Sequence, residues 1–190
     1  MAGRIFNFEH PDRFVPGALG LPGSRTFYLQ ASEGNRIVSV LLEKVQVGLL
    51  AERLGALLTE VRERGASVPQ DADPAQVDRA PLDEPISEIF RVGTMAIIWD
   101  GDDETVVVEA RAIAEEDAEN GGDVAEGEDG DEDDDSDADL LRVELRPGAA
   151  IAFATRALEV VAAGRPPCPF CGQPLNPEGH ICARRNGFMH

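Results

Sequence analysis

The chain has 190 residues, enough for one good core with a small appendage. Its hydrophobic content of 43% is ordinary, its aromatic content of 5% is low, and its formal net charge is −19. That balance argues against a nucleic-acid partner, because it repels phosphate and no basic stripe offsets it. No apolar run approaches the ~20 residues that span a bilayer. The N-terminal residues Met1–Phe8 lack the apolar stretch of a signal peptide, so the expectation is a cytoplasmic protein without a membrane partner.

The charge is local. Fifteen acidic and no basic residues lie between Glu115 and Asp139, which leaves 21 acids against 17 Lys and Arg in the rest, a net charge of about −4. The folded part is therefore expected to be only mildly acidic. Residues 115–139 are Gly- and acid-rich, cannot bury enough apolar surface to offset the entropy of ordering, and are expected to form a disordered insert.

Taken in order, Ile5–Phe8 reads as a short strand. Residues 16–23 hold two prolines and three glycines and read as a loop. Arg25–Ala31 and Arg36–Leu42 alternate around the turn Glu33-Gly34-Asn35, which predicts a hairpin. At Lys44 the period changes to about 3.6: Val47, Leu50, Leu54, Leu57, Leu58 and Val61 form one stripe of a helix over 44–64. Residues 66–88 carry four prolines and predict a long connection without regular structure. Ile89–Trp99 reads as a strand with Phe90, Val92, Ala96 and Ile98 on one face. Glu104–Ile113 and Leu140–Arg146 read as a hairpin whose tip carries the acidic insert. A long tip is tolerable because loop-closure cost grows only logarithmically. Pro147 suits a helix start, and Ile151, Ala154, Leu158 and Val161 mark the apolar stripe of a helix over 147–163. Hairpin-then-helix thus occurs twice, at 25–64 and 90–163, without visible sequence identity between the halves.

These elements predict an α+β fold: one antiparallel sheet of about five or six strands with two helices on one face. Residues 1–164 would form this domain and 165–190 a small zinc-binding tail. The tail holds all three cysteines, as Cys168-Pro-Phe-Cys171-Gly172 followed by His180-Ile-Cys182. Cys-x-x-Cys turns two sulfurs toward one point, and residues two apart on an extended segment share a face. Three thiolates and one imidazole fill a closed tetrahedral shell, the pattern of structural rather than catalytic zinc. An odd cysteine count in a reducing compartment favours metal over disulfide. A redox Cys-x-x-Cys would need a following helix, which Pro169, Gly172, Pro174 and Pro177 oppose. His190 is a substitute ligand for His180, disfavoured by its terminal position.

A second candidate is an anion site from the Gly17–Gly23 loop with Arg13 and Arg25, to which His10 and Asp12 could add acid–base groups. The loop lacks the Gly-Lys-Ser/Thr order of a phosphate loop, and no nucleophile–base pair is visible. The bland alternative is a tight surface connection.

The segments Asp12–Gly17, Gly23–Gln30, Phe90–Thr94 and Gly164–Gly187 resemble an actinobacterial family known as a domain of unknown function. The resemblance covers nearly the whole chain. It implies a bacterial cytoplasmic protein whose genes neighbour those of a histidine-phosphatase-like and a kinase-like protein, and it carries no activity or ligand. Two functions are expected from different classes. One is a non-catalytic binding or adaptor protein with structural zinc, engaging a protein partner or small ligand. The other is a phosphate-ligand enzyme or sensor that uses Arg13 and Arg25. The sequence leaves the question of catalysis open.

Overall fold

Residues 3–113, 138–164, 168–172 and 182 are described by the structure, a computed structural model. Among them, seven strands and two helices run in the order β1 (Ile5–Phe8), β2 (Arg13–Leu19), β3 (Thr26–Glu33), β4 (Arg36–Leu42), α1 (Lys44–Glu63), β5 (Glu88–Asp100), β6 (Thr105–Ala112), β7 (Leu140–Leu145) and α2 (Pro147–Ala162). All strands join one sheet in the order β1-β7-β6-β5-β4-β3-β2.

The α+β class holds, but the sheet is mixed rather than antiparallel. β4 pairs parallel to β5 and β1 parallel to β7; the other four pairings are antiparallel. The physical reason lies in α1, a helical crossover that returns the chain in the direction of β4 and so permits only a parallel neighbour. The internal repetition is also longer than a hairpin and a helix. The meander β2-β3-β4 leads into α1, and the meander β5-β6-β7 leads into α2. β1 lies alongside β7 in the direction that a strand following α2 would take.

One core joins both helices to one face of the sheet. Phe14, Leu29, Val40, Val108 and Val143 meet Leu50, Leu54 and Leu58 of α1 and Phe153 and Ala157 of α2. Leu54 is fully buried, and truncating such a leucine to alanine costs about 2–5 kcal/mol. Phe14 and Phe153 stack with centroids 4.7 Å apart. The α1 stripe falls where its period put it, with Leu57 at the partly buried margin. A capping box opens this helix: the Glu43 N–H donates to Gln46 Oε1 at 2.8 Å, and the Glu43 side chain accepts from the N3 backbone. Gly65, with φ 100°, closes it.

Three local expectations are corrected. Residues 16–19 belong to the strand Arg13–Leu19, not to a Gly/Pro loop. This strand is the sheet edge, where Pro16 lacks only an N–H that no neighbouring strand requires. On β5 the register shifts between Val92 and Thr94. This bulge reverses the alternation, so Met95, Ile97 and Trp99 pack on the core, while Ala96 is exposed and Ile98 is 46% exposed. On α2 the buried stripe is Ala150, Phe153, Ala154 and Ala157, and Leu158 faces solvent. The acidic stretch lies outside the described residues except for Ala138 and Asp139, and Asp139 pairs with Arg4 at 2.5 Å beside the start of β7. β6 and β7 pair from Val106↔Leu145 to Arg111↔Leu140, the hairpin expected around that stretch.

The connection 64–87 has no regular element, and its residues 76–83 wrap the β2 edge. Leu82 sits over Gly17, where an added Cβ would lie 2.6 Å from the Leu82 side chain. The buried Gln30 amide donates to the Asp83 carbonyl at 3.0 Å and accepts from the Asp83 N–H at 2.8 Å.

Candidate metal centre

Cys168 and Cys171 are joined by a tight turn. The Gly172 N–H donates to the Cys168 carbonyl at 2.8 Å, and the Phe170 N–H donates to Cys168 Sγ at 3.5 Å. Gly172 adopts the left-handed conformation this turn requires, with φ 75°. Cys182 completes a cluster: the ligand atoms of Cys168, Cys171 and Cys182 all lie within 4.8 Å of one another. Cys168 and Cys182 are buried and Cys171 is half-buried. Three sulfurs so close could hold one metal ion, and thiolates are zinc ligands at about 2.3 Å each. Burial pushes the Cys168 thiol up, but backbone bonds from Cys171 and Phe170 and contacts with the thiols of Cys171 and Cys182 outweigh it. The net direction is down, toward thiolate. His180 and His190 lie outside the described residues.

The residues of the second candidate serve other ends. Arg13 pairs with Asp78 at 2.5 Å and Asp83 at 3.1 Å, and donates to the carbonyls of Ala80 and Pro81. Its hydrogen bond from Arg13 holds the Asp78 carboxyl below the ordinary carboxylate range. Arg25 lies over the Phe27 ring at 5.4 Å and donates to the Val160 carbonyl at 3.2 Å, at the end of α2. Asp12 accepts from the Gly34 N–H at 2.7 Å, closing the β3–β4 turn. His10 lines a cleft of about 600 Å³ with Glu9, Glu144 and Arg146, and Arg13 lines an adjoining one of about 300 Å³ with Asp78 and Arg156; Arg25 lines neither. The structure therefore does not gather Arg13, Arg25 and His10 around one concave surface.

Sequence reasoning missed Arg156. It is 6% exposed and donates to the carbonyls of Pro16, Asp78 and Ala80 and to Asp78 Oδ1. The available signal was its place between Phe153 and Ala157 on the buried side of α2. Among the described residues, no helix is long and apolar enough to cross a membrane.

A family model described as a protein of unknown function (DUF3090) matches residues 6–182, and the chain belongs to that family. No curated protein and no solved structure matches it.

Proposed function

We propose that this DUF3090 protein is a non-catalytic, cytoplasmic binding or adaptor protein whose C-terminal tail is ordered by structural zinc, with Cys168, Cys171, His180 and Cys182 as ligands. The observation that carries the reading is the convergence of three cysteine ligand atoms within 4.8 Å around a Cys-x-x-Cys turn. Zinc suits the set because thiolate and imidazole ligands in a closed tetrahedron are its structural pattern. His180 is the fourth ligand by its spacing of two from Cys182.

The non-catalytic part of the reading is supported by the fate of the charged residues near the N-terminus. Arg13 pairs with Asp78 and Asp83, while Arg25 lies over an aromatic ring and donates to a helix carbonyl, so the two guanidiniums serve different places. A phosphate-ligand enzyme or sensor would need both guanidiniums turned toward one ligand. The partner is a protein or a small ligand.

Elemental analysis of reduced, tag-free protein tests the metal. One zinc per chain is expected, with occupancy lost in Cys171→Ser. Absence of stoichiometric zinc, or full occupancy in that variant, would remove the basis of the proposal.

A further inference from the structure

We infer that Arg25 and Lys44 form a cationic seat for the metal-loaded tail, holding its negatively charged centre against the junction of α1 and α2. The inference rests on the proposed zinc site and adds the place where that site docks.

Gly164 is the last described residue before the tail. A Cβ built on it would lie 3.3 Å from Arg25 Nη2 and 3.6 Å from Lys44 Nζ, so two cations from different elements converge there. Arg25 precedes β3 and Lys44 opens α1. Neither makes an ion pair among the described residues, whereas Arg4, Arg13, Arg79, Arg91, Arg142 and Arg156 each meet a carboxylate. The α2 terminus supplies part of a counter-charge, since Arg25 donates to Val160 O. A helix end offers about half a negative charge against two positive ones. Two like charges brought together without an acid are unfavourable unless another anion approaches.

The tail supplies one. Three thiolates and a neutral imidazole on a zinc dication leave a centre near −1. Cys168 follows Gly164 by four residues, which span at most ~14 Å when extended. The first ligand is thus tethered within two Debye lengths of the seat at physiological salt, each about 8 Å. Two cations roughly 10 Å from a unit charge in a water-like dielectric favour the loaded state by about three- to five-fold at low salt. Arg25 and Lys44 act here as positioning residues and do not touch the ion.

The test is zinc release from the full, reduced chain to a chromogenic chelator, at low salt and at 0.5 M salt. Lys44→Gln removes an exposed charge with no hydrogen bond among the described residues, and the Arg25→Gln/Lys44→Gln pair removes the whole seat. Release should quicken in the single variant and by about three- to five-fold in the double variant at low salt. At 0.5 M salt the difference should vanish. Lys44→Glu should release faster than Lys44→Gln. Equal rates in all variants would overturn the seat while leaving the zinc reading intact. A difference that persists at high salt would also overturn it, because a damaged junction rather than charge would then be the cause. Wild-type protein without zinc would overturn both readings.

Discussion

Arg156 on α2 donates from Nε to the carbonyl of Pro16 on β2 at 2.8 Å. The relationship protects a sheet edge. Pro16 offers no N–H, and its carbonyl is covered by a guanidinium from inside the molecule, so an incoming strand finds neither group available there. The same guanidinium reaches Asp78 Oδ1 at 2.9 Å and the Ala80 carbonyl at 2.8 Å. Arg13, from the strand itself, also donates to the Ala80 carbonyl and to that of Pro81.

Replacing Arg156 with Met keeps much of the volume and takes the donor from the Pro16 carbonyl, while Arg13 still pairs with Asp78 and donates to the Ala80 carbonyl. Leaving a buried carbonyl without its donor costs about 1–3 kcal/mol. The urea midpoint should fall accordingly, and Tm by roughly 5 °C for a domain of this size. A loss below about 1 kcal/mol would show that packing alone holds residues 76–83 in place.

The pairing of Asp78 with Arg13 makes stability depend on pH. The Arg13 hydrogen bond depresses the folded-state pKa of Asp78 below its value in the unfolded chain. The carboxylate therefore contributes stability that is fully present above the unfolded value, near 4, and is lost as pH falls through the lower folded value. Asp78→Asn should be less stable than the parent at pH 6, and its stability should decline less between pH 5 and pH 2.5. Parallel urea-midpoint curves for the two proteins would assign the acid sensitivity to other carboxylates, such as Asp139 beside Arg4.

Much of the fold was legible because period and burial agreed. The α1 stripe, the β3–β4 hairpin and the β6–β7 pairing each follow a single unbroken pattern. The misreadings share a physical cause, which is a neighbour distant in sequence. Pro16 and Gly17 read as loop residues, yet Pro16 is satisfied at an edge and Gly17 leaves room for Leu82 from 65 residues away. Alternation along β5 was extrapolated through Gly93, where the register shifts and an added Cβ would lie 2.9 Å from Ile113 Cα. On α2 the exposed Leu158 outweighed the small residues Ala150 and Ala157, whose burial depends on the close approach of other elements. The cysteine cluster was legible because Cys-x-x-Cys spacing is itself a local geometry, and the positive φ of Gly172 follows from that same turn.

The β5 bulge leads to a prediction at Gln46. Its amide donates to the carbonyls of Val92 at 3.1 Å and Gly93 at 3.3 Å, at the register shift of β5. Its oxygen also accepts from the N–H of Glu43. One side chain therefore caps α1 and satisfies the bulge. Gln46→Leu would keep its bulk and abandon three backbone groups, at a cost of about 1–3 kcal/mol per group left buried and unpaired. Hydrogen exchange should quicken at the first turn of α1 and along residues 91–95 while β6–β7 stays protected. Loss of protection spread uniformly over the sheet would show that Gln46 is a general core residue rather than a local link.

Removal of the metal should separate the tail from the domain. The core that joins α1, α2 and the sheet contains none of the three cysteines. The domain therefore does not draw its packing from the site, and the tail has too few large apolar side chains to order itself, chiefly Phe170, Leu175, Ile181 and Phe188. On the proposed zinc reading, binding free energy supplies that order. Chelation of the reduced protein should raise hydrogen exchange across residues 168–182 and leave α1 and β6 protected, with thermal unfolding of the domain nearly unchanged. His180→Ala should weaken zinc binding more than His190→Ala, because only His180 stands two residues from Cys182 within the ligand spacing. Collapse of protection in the sheet on chelation would show that the metal centre is part of the domain's core energetics, and the division at residues 164 and 165 would have to be abandoned.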